Sequence, residues 1–204
     1  MSKPVVTLPP DGRTRCPWVD LSKADYVAYH DEEWGVPVRD DRLMFEYLIL
    51  EGAQAGLSWY TVLRKREAYR EAFASFDVGK ILRYDASRLA SLMQNEGLVR
   101  NRQKLESVLT NARATVEVQK EFGSLCAYLW GFVGDRPQVN APRDRADFRA
   151  TSPESDALSR DLKKRGFKFV GSTIMYAHMQ AVGMVNDHTQ DCFRQRELAA
   201  LAGA

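Results

Sequence analysis

DDRLMFEYLILEGAQAGLSWYTVLRKREAYREAF, residues 40–73, decides the fold class. Asp40 or Asp41 can accept the first free amides of a helix, and Leu43, Tyr47 and Leu48 then recur on one helical face. Ser58 can cap a second helix whose stripe is Val62, Leu63, Tyr69 and Phe73. The same period continues in the flanking sequence. Asp85 starts a helix carrying Leu89, Leu92 and Met93, and residues 101–120 place Leu105, Val108, Leu109 and Ala112 on one face. SLCAYLWGFV, residues 124–133, buries Leu125, Leu129 and Phe132. Ser152 followed by Pro153 is a cap with proline at the first helical position, and Gly166 closes that helix. A further helix spans Thr173 to Met184. GDRPQVNAPRDRADFRAT, residues 134–151, reads as a long loop. No stretch alternates with period two, so the expected class is all-α.

Composition narrows the rest. At 204 residues with 45% apolar content, the chain can bury one large domain or two small lobes. A net charge of +2 makes no case for nucleic acid, which must come from local basic patches. No apolar run is long enough to span a membrane. The start, MSKPVVTLPPDGRT, lacks an apolar core and a small-residue cleavage site, so it does not read as a secretory signal. Its proline and glycine predict a loose tail over residues 1–14, with the helical domain at 15–204. Three cysteines give no even disulfide framework and fit a reducing compartment. Cys126 lies in an apolar stretch and reads as a core thiol.

Four residues carry the first chemical signal. Cys16 and His30 lie near one end of the chain and His188 and Cys192 near the other. Thiolates and imidazoles are the donors zinc prefers in sets of four, and the His188–Cys192 spacing puts both on one helical face. The competing reading is buried thiols and hydrogen-bonded core histidines. A second signal is Glu51, a carboxylate placed directly after the apolar run LIL, where burial is costly without a donor or a cation. The loop beyond it, Ala55-Gly56-Leu57-Ser58, offers Leu57 either as core or as a wedge for a base stack. Trp18, Tyr26, Tyr29, Trp34 and Trp59 crowd the same half of the chain. They are core packing or, beside an acid, a cage for a flat cation. The third signal is the link QNEGLVRNRQK, residues 94–104. Gly97 permits a tight turn or a left-handed residue there, and the next helix opens with free amides and a positive dipole end. Arg100, Arg102 and Lys104 add charge, with Arg113 further along. The alternative is an ordinary helical hairpin with a solvated basic face. KKRGFKF, residues 163–169, is a second basic cluster and can equally be a charged helix end.

Taken together, RCPWV (15–19), YVAYHDEEWGVP (26–37), LEGAQAGLSWYTVLRKREAYREAF (50–73), LSRDLKKRGFKFVGSTI (158–174) and GMVNDHTQDC (183–192) resemble the DNA-3-methyladenine glycosylase I family of bacterial alkylation-repair enzymes. The resemblance implies an all-helical fold of the helix-hairpin-helix glycosylase superfamily, with two closely associated lobes. It also implies one structural zinc ion held by Cys16, His30, His188 and Cys192, joining the chain ends. It makes Glu51 the carboxylate that hydrogen-bonds the excised base, Tyr29 a base contact, and Trp59 and Trp18 aromatic walls, with Tyr26 and Trp34 beside them. Leu57, next to Gly56, matches the residue that fills the gap in the stack. The segment from Asn95 to Arg102 matches the phosphate-gripping hairpin, which makes Gly97, Arg100, Arg102 and Lys104 candidate DNA contacts; the glycine-rich form of that hairpin is missing here.

The implied activity is monofunctional. The lesion is flipped from double-stranded DNA and hydrolytically excised, releasing free 3-methyladenine and leaving an abasic site for base excision repair. No lysine is marked as a Schiff-base nucleophile, so no lyase step is expected. A cytoplasmic monomer is expected. Two rival readings use the same residues: a non-catalytic zinc-clasped module that grips DNA, and a metal-dependent hydrolase needing an open coordination position.

Overall fold

The computed structural model describes residues 11–202. The first ten residues of the expected tail lie outside them. Residues 11–14 are held at two points: Asp11 pairs with Arg13 at 2.9 Å, and Thr14 O accepts from the Phe193 amide at 3.1 Å.

The described residues form eleven α-helices and one two-stranded ribbon. They fall into two compact units. The larger is drawn from Val38–Asp135 and Ala150–Met179. It holds α2 (Asp41–Gln54), α3 (Trp59–Leu63), α4 (Arg66–Ala72), α5 (Val78–Ile81), α6 (Ala86–Leu92), α7 (Arg102–Phe122), α8 (Leu125–Trp130), α9 (Pro153–Lys164) and most of α10 (Ser172–Ala181). The smaller is drawn from Met1–Pro37, Arg136–Arg149 and Gln180–Ala204. It holds α1 (Ala24–Ala28), a π-helical turn at Tyr29–Glu33, β1 (Gln138–Val139), β2 (Val185–Asn186) and α11 (Phe193–Ala202).

The cap residues read from sequence occupy their caps. Asp40 accepts from the Leu43 amide, Ser58 from Thr61 and Asp85 from Arg88; Asn101, read only as the start of a helix, also accepts from Lys104. Ser152 and Ser155 form a reciprocal capping box at the start of α9. Asp41 caps at a distance. Its carboxylate accepts the amides of Leu125 and Cys126 at 2.8 Å each and so starts α8. In the larger unit, Phe45, Leu48 and Leu50 of α2 bury fully with Val62, Tyr69, Phe73, Leu105 and Val108. Each such side chain contributes about 1.5–3 kcal/mol.

Three expectations need correction. The helix expected after Ser58 is two helices, α3 ending at Leu63 and α4 starting at Arg66, with Arg64 and Lys65 between them. Val62 and Tyr69 are both buried in the core. Phe132 is only half-buried and meets the Tyr128 ring edge-on at 5.4 Å. The helix expected to reach Met184 stops at Ala181, and Val185–Asn186 pairs in parallel with Gln138–Val139 inside the expected long loop. Strands of two residues are too short to show alternation. No helix among the described residues is long and apolar enough to cross a membrane.

Candidate functional site

Cys16, His30, His188 and Cys192 converge in the smaller unit. All four are buried, and their ligand atoms lie within 4.8 Å of one another. The Cys16 Sγ to His188 Nδ1 and Cys192 Sγ to His188 Nδ1 distances are both 3.4 Å, and Cys192 Sγ to His30 Nε2 is 3.5 Å. Metal–ligand lengths of about 2.3 Å to sulfur and 2.0–2.1 Å to nitrogen give a tetrahedral sulfur–nitrogen edge of about 3.5 Å. The donor set therefore fits a tetrahedral metal ion.

Each imidazole is aimed by a bond at its other nitrogen. His188 Nε2 meets the Trp34 carbonyl at 2.9 Å, and His30 Nδ1 meets Asp31 Oδ1 at 2.8 Å. His30 sits in the π-helical turn, where a wider hydrogen-bonded ring adds a residue and re-aims the side chains around it. Thr189 directs its amide at Cys16 Sγ at 3.5 Å. Cys192 is the thiol that ionises first, lowered by hydrogen bonding with Cys16 and by His188 and His30. The Cys16 thiol is raised by Cys192 and by burial. Asp31 loses solvation by burial, yet Arg15 and His30 outweigh that and hold it below the usual carboxylate range.

Aromatic rings surround this cluster. Trp34 packs on His188 at 4.5 Å and lies parallel to His30 at 6.3 Å. Trp18 touches Trp34 at 4.9 Å, His30 at 5.2 Å and Tyr26 at 5.3 Å. Trp18 and Tyr26 are half-buried, Tyr29 is buried, and the Trp18 Nε1 donor makes no hydrogen bond.

Glu51 lies in the last turns of α2, 4% exposed, and its Oε2 makes no hydrogen bond. Burial pushes its carboxyl up to about 8. The same helix carries a contrasting glutamate. Glu46 is also buried, but Arg66 Nε reaches it at 2.5 Å and Arg70 Nη2 at 2.8 Å. One glutamate is neutralised by two guanidiniums and serves the fold. The other is left protonated at neutral pH with an open acceptor, an arrangement typical of ligand sites.

Beyond Glu51 the chain makes a type II turn. Ala55 takes φ −44°, ψ 115°, Gly56 takes φ +79°, and the Leu57 amide returns to Gln54 O at 2.6 Å. Only glycine takes Gly56's conformation without strain. The turn leaves Leu57 42% exposed, ahead of half-buried Trp59 at the start of α3.

The link between α6 and α7 turns tightly, the first of the two alternatives read for Gly97. Gly97 does not adopt a left-handed conformation; a Cβ there would lie 2.6 Å from the Ala68 Cβ on α4. Close approach fixes that glycine. Asn95 Oδ1 accepts the Gly97 amide at 2.8 Å, and Leu98 is buried below. Arg100 and Arg102 stand exposed at the start of α7, each beside a glutamate four residues away.

The family model for methyladenine glycosylases matches residues 18–195. This chain belongs to the methyladenine glycosylase family. A DNA-3-methyladenine glycosylase of Haemophilus influenzae is 48% identical over 179 residues, covering 88% of this chain and 96% of that relative. A crystal structure of 3-methyladenine DNA glycosylase I superposes with a TM-score of 0.86 at 47% identity, covering 88% of this chain and 98% of its own. A structure describing 3-methyladenine recognition by the Staphylococcus aureus enzyme gives 0.83 at 34% identity, covering 85% and 92%. As a methyladenine glycosylase, the chain is a hydrolase of N-glycosyl bonds in DNA repair.

Lys104 and Trp34, two of the expected site residues of this glycosylase, lie buried. Lys104 does not project from the α6–α7 link beside Arg100 and Arg102. It is 9% exposed, and its ammonium donates to Ala53 O at 2.8 Å and Ala55 O at 2.6 Å. Trp34 is 7% exposed, lying parallel to the His30 ring and meeting the His188 ring edge-on. The sequence reading passed over three residues. Asp31 and Arg15 flank motif positions, but an acid after a histidine is too common to signal a role. His178 of α10 is fully buried, and burial lowers it to about 3, so its ring is neutral. Nothing in its spacing distinguished it from the other two histidines.

Proposed function

We propose that this methyladenine glycosylase excises 3-methyladenine from alkylated double-stranded DNA by hydrolysis, leaving an abasic site. The observation that carries the reading is Glu51: a buried carboxyl with an unbonded oxygen, raised to about 8 by burial alone. Methylation at N3 makes the adenine of the lesion cationic and weakens its glycosidic bond. A cation entering beside Glu51 supplies the missing counter-charge, so the carboxyl gives up its proton and accepts hydrogen bonds from the base. Neutral adenine offers no such compensation and is disfavoured. Selection is then coupled to charge, and little acid catalysis is needed for a leaving group that is already positive. Water attacks the sugar C1′ as the base departs.

The remaining roles are proposals of the same reading. Trp59 stacks on the flipped base, with a cation–π gain of about 1–2 kcal/mol. Trp18 and Tyr29 act as base contacts on the strength of their motif positions, and the unbonded Trp18 Nε1 is an available donor. Leu57 fills the gap left in the stack, favoured by its exposure on a rigid turn. The α6–α7 link acts as the hairpin of the helix-hairpin-helix superfamily and takes a DNA phosphate at the start of α7, with Arg100 and Arg102 beside it. Zinc is the metal that the two-cysteine, two-histidine set fits. Bound there, it would hold the segments bearing Trp18 and Tyr29 in place. Four protein ligands leave no open position for water activation. The expected monomer carries over unchanged. Release of 3-methyladenine from methylated DNA, with the product identified by mass, tests the activity; no release would leave the DNA-gripping module as the better reading.

A further inference from the structure

The metal cluster sits against an ionic chain that the family resemblance does not assign. His30 Nδ1 meets Asp31 Oδ1 at 2.8 Å. Asp31 is gripped in turn by Arg15, whose Nε lies 2.9 Å from Oδ1 and whose Nη2 lies 2.5 Å from Oδ2. Arg15 also reaches Asp11, Nη2 to Oδ2 at 2.8 Å. The Arg15 side chain is 3% exposed and that of Asp31 11%, so the pair is withdrawn from solvent. Asp11, Arg13 and Arg15 all precede residue 18, where the family match begins.

We propose that Arg15 and Asp31 are positioning residues for the metal ligand His30, and that Asp11–Arg15 is a clasp that raises the affinity of the cluster for its ion. This rests on the zinc reading above. Asp31 accepts the Nδ1 proton of His30, which fixes the tautomer with Nε2 free and aimed at Cys192. A carboxylate on the far nitrogen also makes the imidazole a stronger donor. An unpaired carboxylate this buried would be costly, and Arg15 neutralises it through a two-pronged guanidinium contact. Two thiolates already balance a divalent ion, so Asp31 without Arg15 would leave excess negative charge in the cluster. His188 uses a neutral carbonyl for the same purpose, so the ionic version belongs to His30 alone among the two.

The test is zinc affinity of the full chain, measured by competition with a chromophoric chelator such as 4-(2-pyridylazo)resorcinol. Asp31→Ala is expected to weaken zinc binding about 10–100-fold, and Arg15→Met about tenfold. The double variant is expected to be no weaker than Asp31→Ala, since Arg15 acts through Asp31. Asp31→Asn, which keeps an acceptor, should fall between wild type and Asp31→Ala. Equal zinc competition in all four variants and wild type, whatever their melting temperatures, would overturn the clasp while leaving the zinc reading intact. Absence of zinc binding by the wild-type protein would overturn both. If Asp31→Ala does not fold, Arg15→Met and Asp31→Asn carry the comparison.

Discussion

The Lys104 ammonium donates to the Ala55 carbonyl at 2.6 Å and to Ala53 at 2.8 Å, closing the C-terminal end of the helix that carries Glu51. A cation there complements the helix dipole and satisfies carbonyls that have no partner within the helix. Burial lowers the Lys104 pKa, as it would for any ammonium taken out of water. Lys104→Met is therefore expected to lower stability by about 1–3 kcal/mol through unpaired carbonyls. It should leave the salt dependence of DNA binding unchanged. Denaturant titration and a salt series on one duplex measure both.

Arg100→Ala and Arg102→Ala should do the reverse. Both side chains are more than half exposed, so the melting temperature should hold. The slope of log affinity against log salt should become shallower by about one for each phosphate that the variant no longer neutralises. Unchanged slopes would remove the α6–α7 link from the DNA interface.

The protonation of Glu51 predicts a pH signature in the free protein. Below the ordinary value of 4.5 the carboxyl is neutral folded and unfolded, and costs nothing. Above it, the unfolded chain releases the proton while the folded protein keeps it up to about 8. Stability should fall by about 1.4 kcal/mol per pH unit across that window from this group alone. Glu51→Gln should lose this component, so its advantage over wild type grows from pH 5 to 8. Denaturation midpoints at several pH values test it; parallel profiles would mean that Glu51 is ionised in the free protein.

Leu57→Ala should barely change the melting temperature, because the side chain is 42% exposed on its turn. Affinity for duplex DNA containing an abasic-site analogue should fall instead. A large loss of stability with normal DNA affinity would mark Leu57 as packing.

Removing the metal with a strong chelator should lower the melting temperature and loosen the segments around Cys16 and His30, since the four donors come from both chain ends. Restored zinc should recover both. Tryptophan fluorescence reports the change directly, because Trp18 and Trp34 both pack against His30.

Capping was legible in the sequence because it is local: Asp40, Ser58, Asp85 and Ser152 each act on an amide three residues ahead. The two cysteines and two histidines stood out by residue type as a set that could hold a metal, and their convergence awaited the fold. Lys104 was misread because its spacing from Arg100 and Arg102 says nothing about which face of α7 turns inward. The parallel ribbon and the Arg15–Asp31 contact both depend on partners distant in sequence. The tight turn at Gly97 was legible, but its close approach to Ala68 on another helix leaves no local trace.

The central claim is that Glu51 selects a cationic base, and excision kinetics on methylated duplex DNA test it most directly. Wild-type protein should release 3-methyladenine with kcat/KM rising as pH approaches about 8 and levelling above it, in step with Glu51 ionisation. Glu51→Gln should lose most of the rate and the pH dependence together. Release by Glu51→Gln at the wild-type rate, with the same pH profile, would contradict the account.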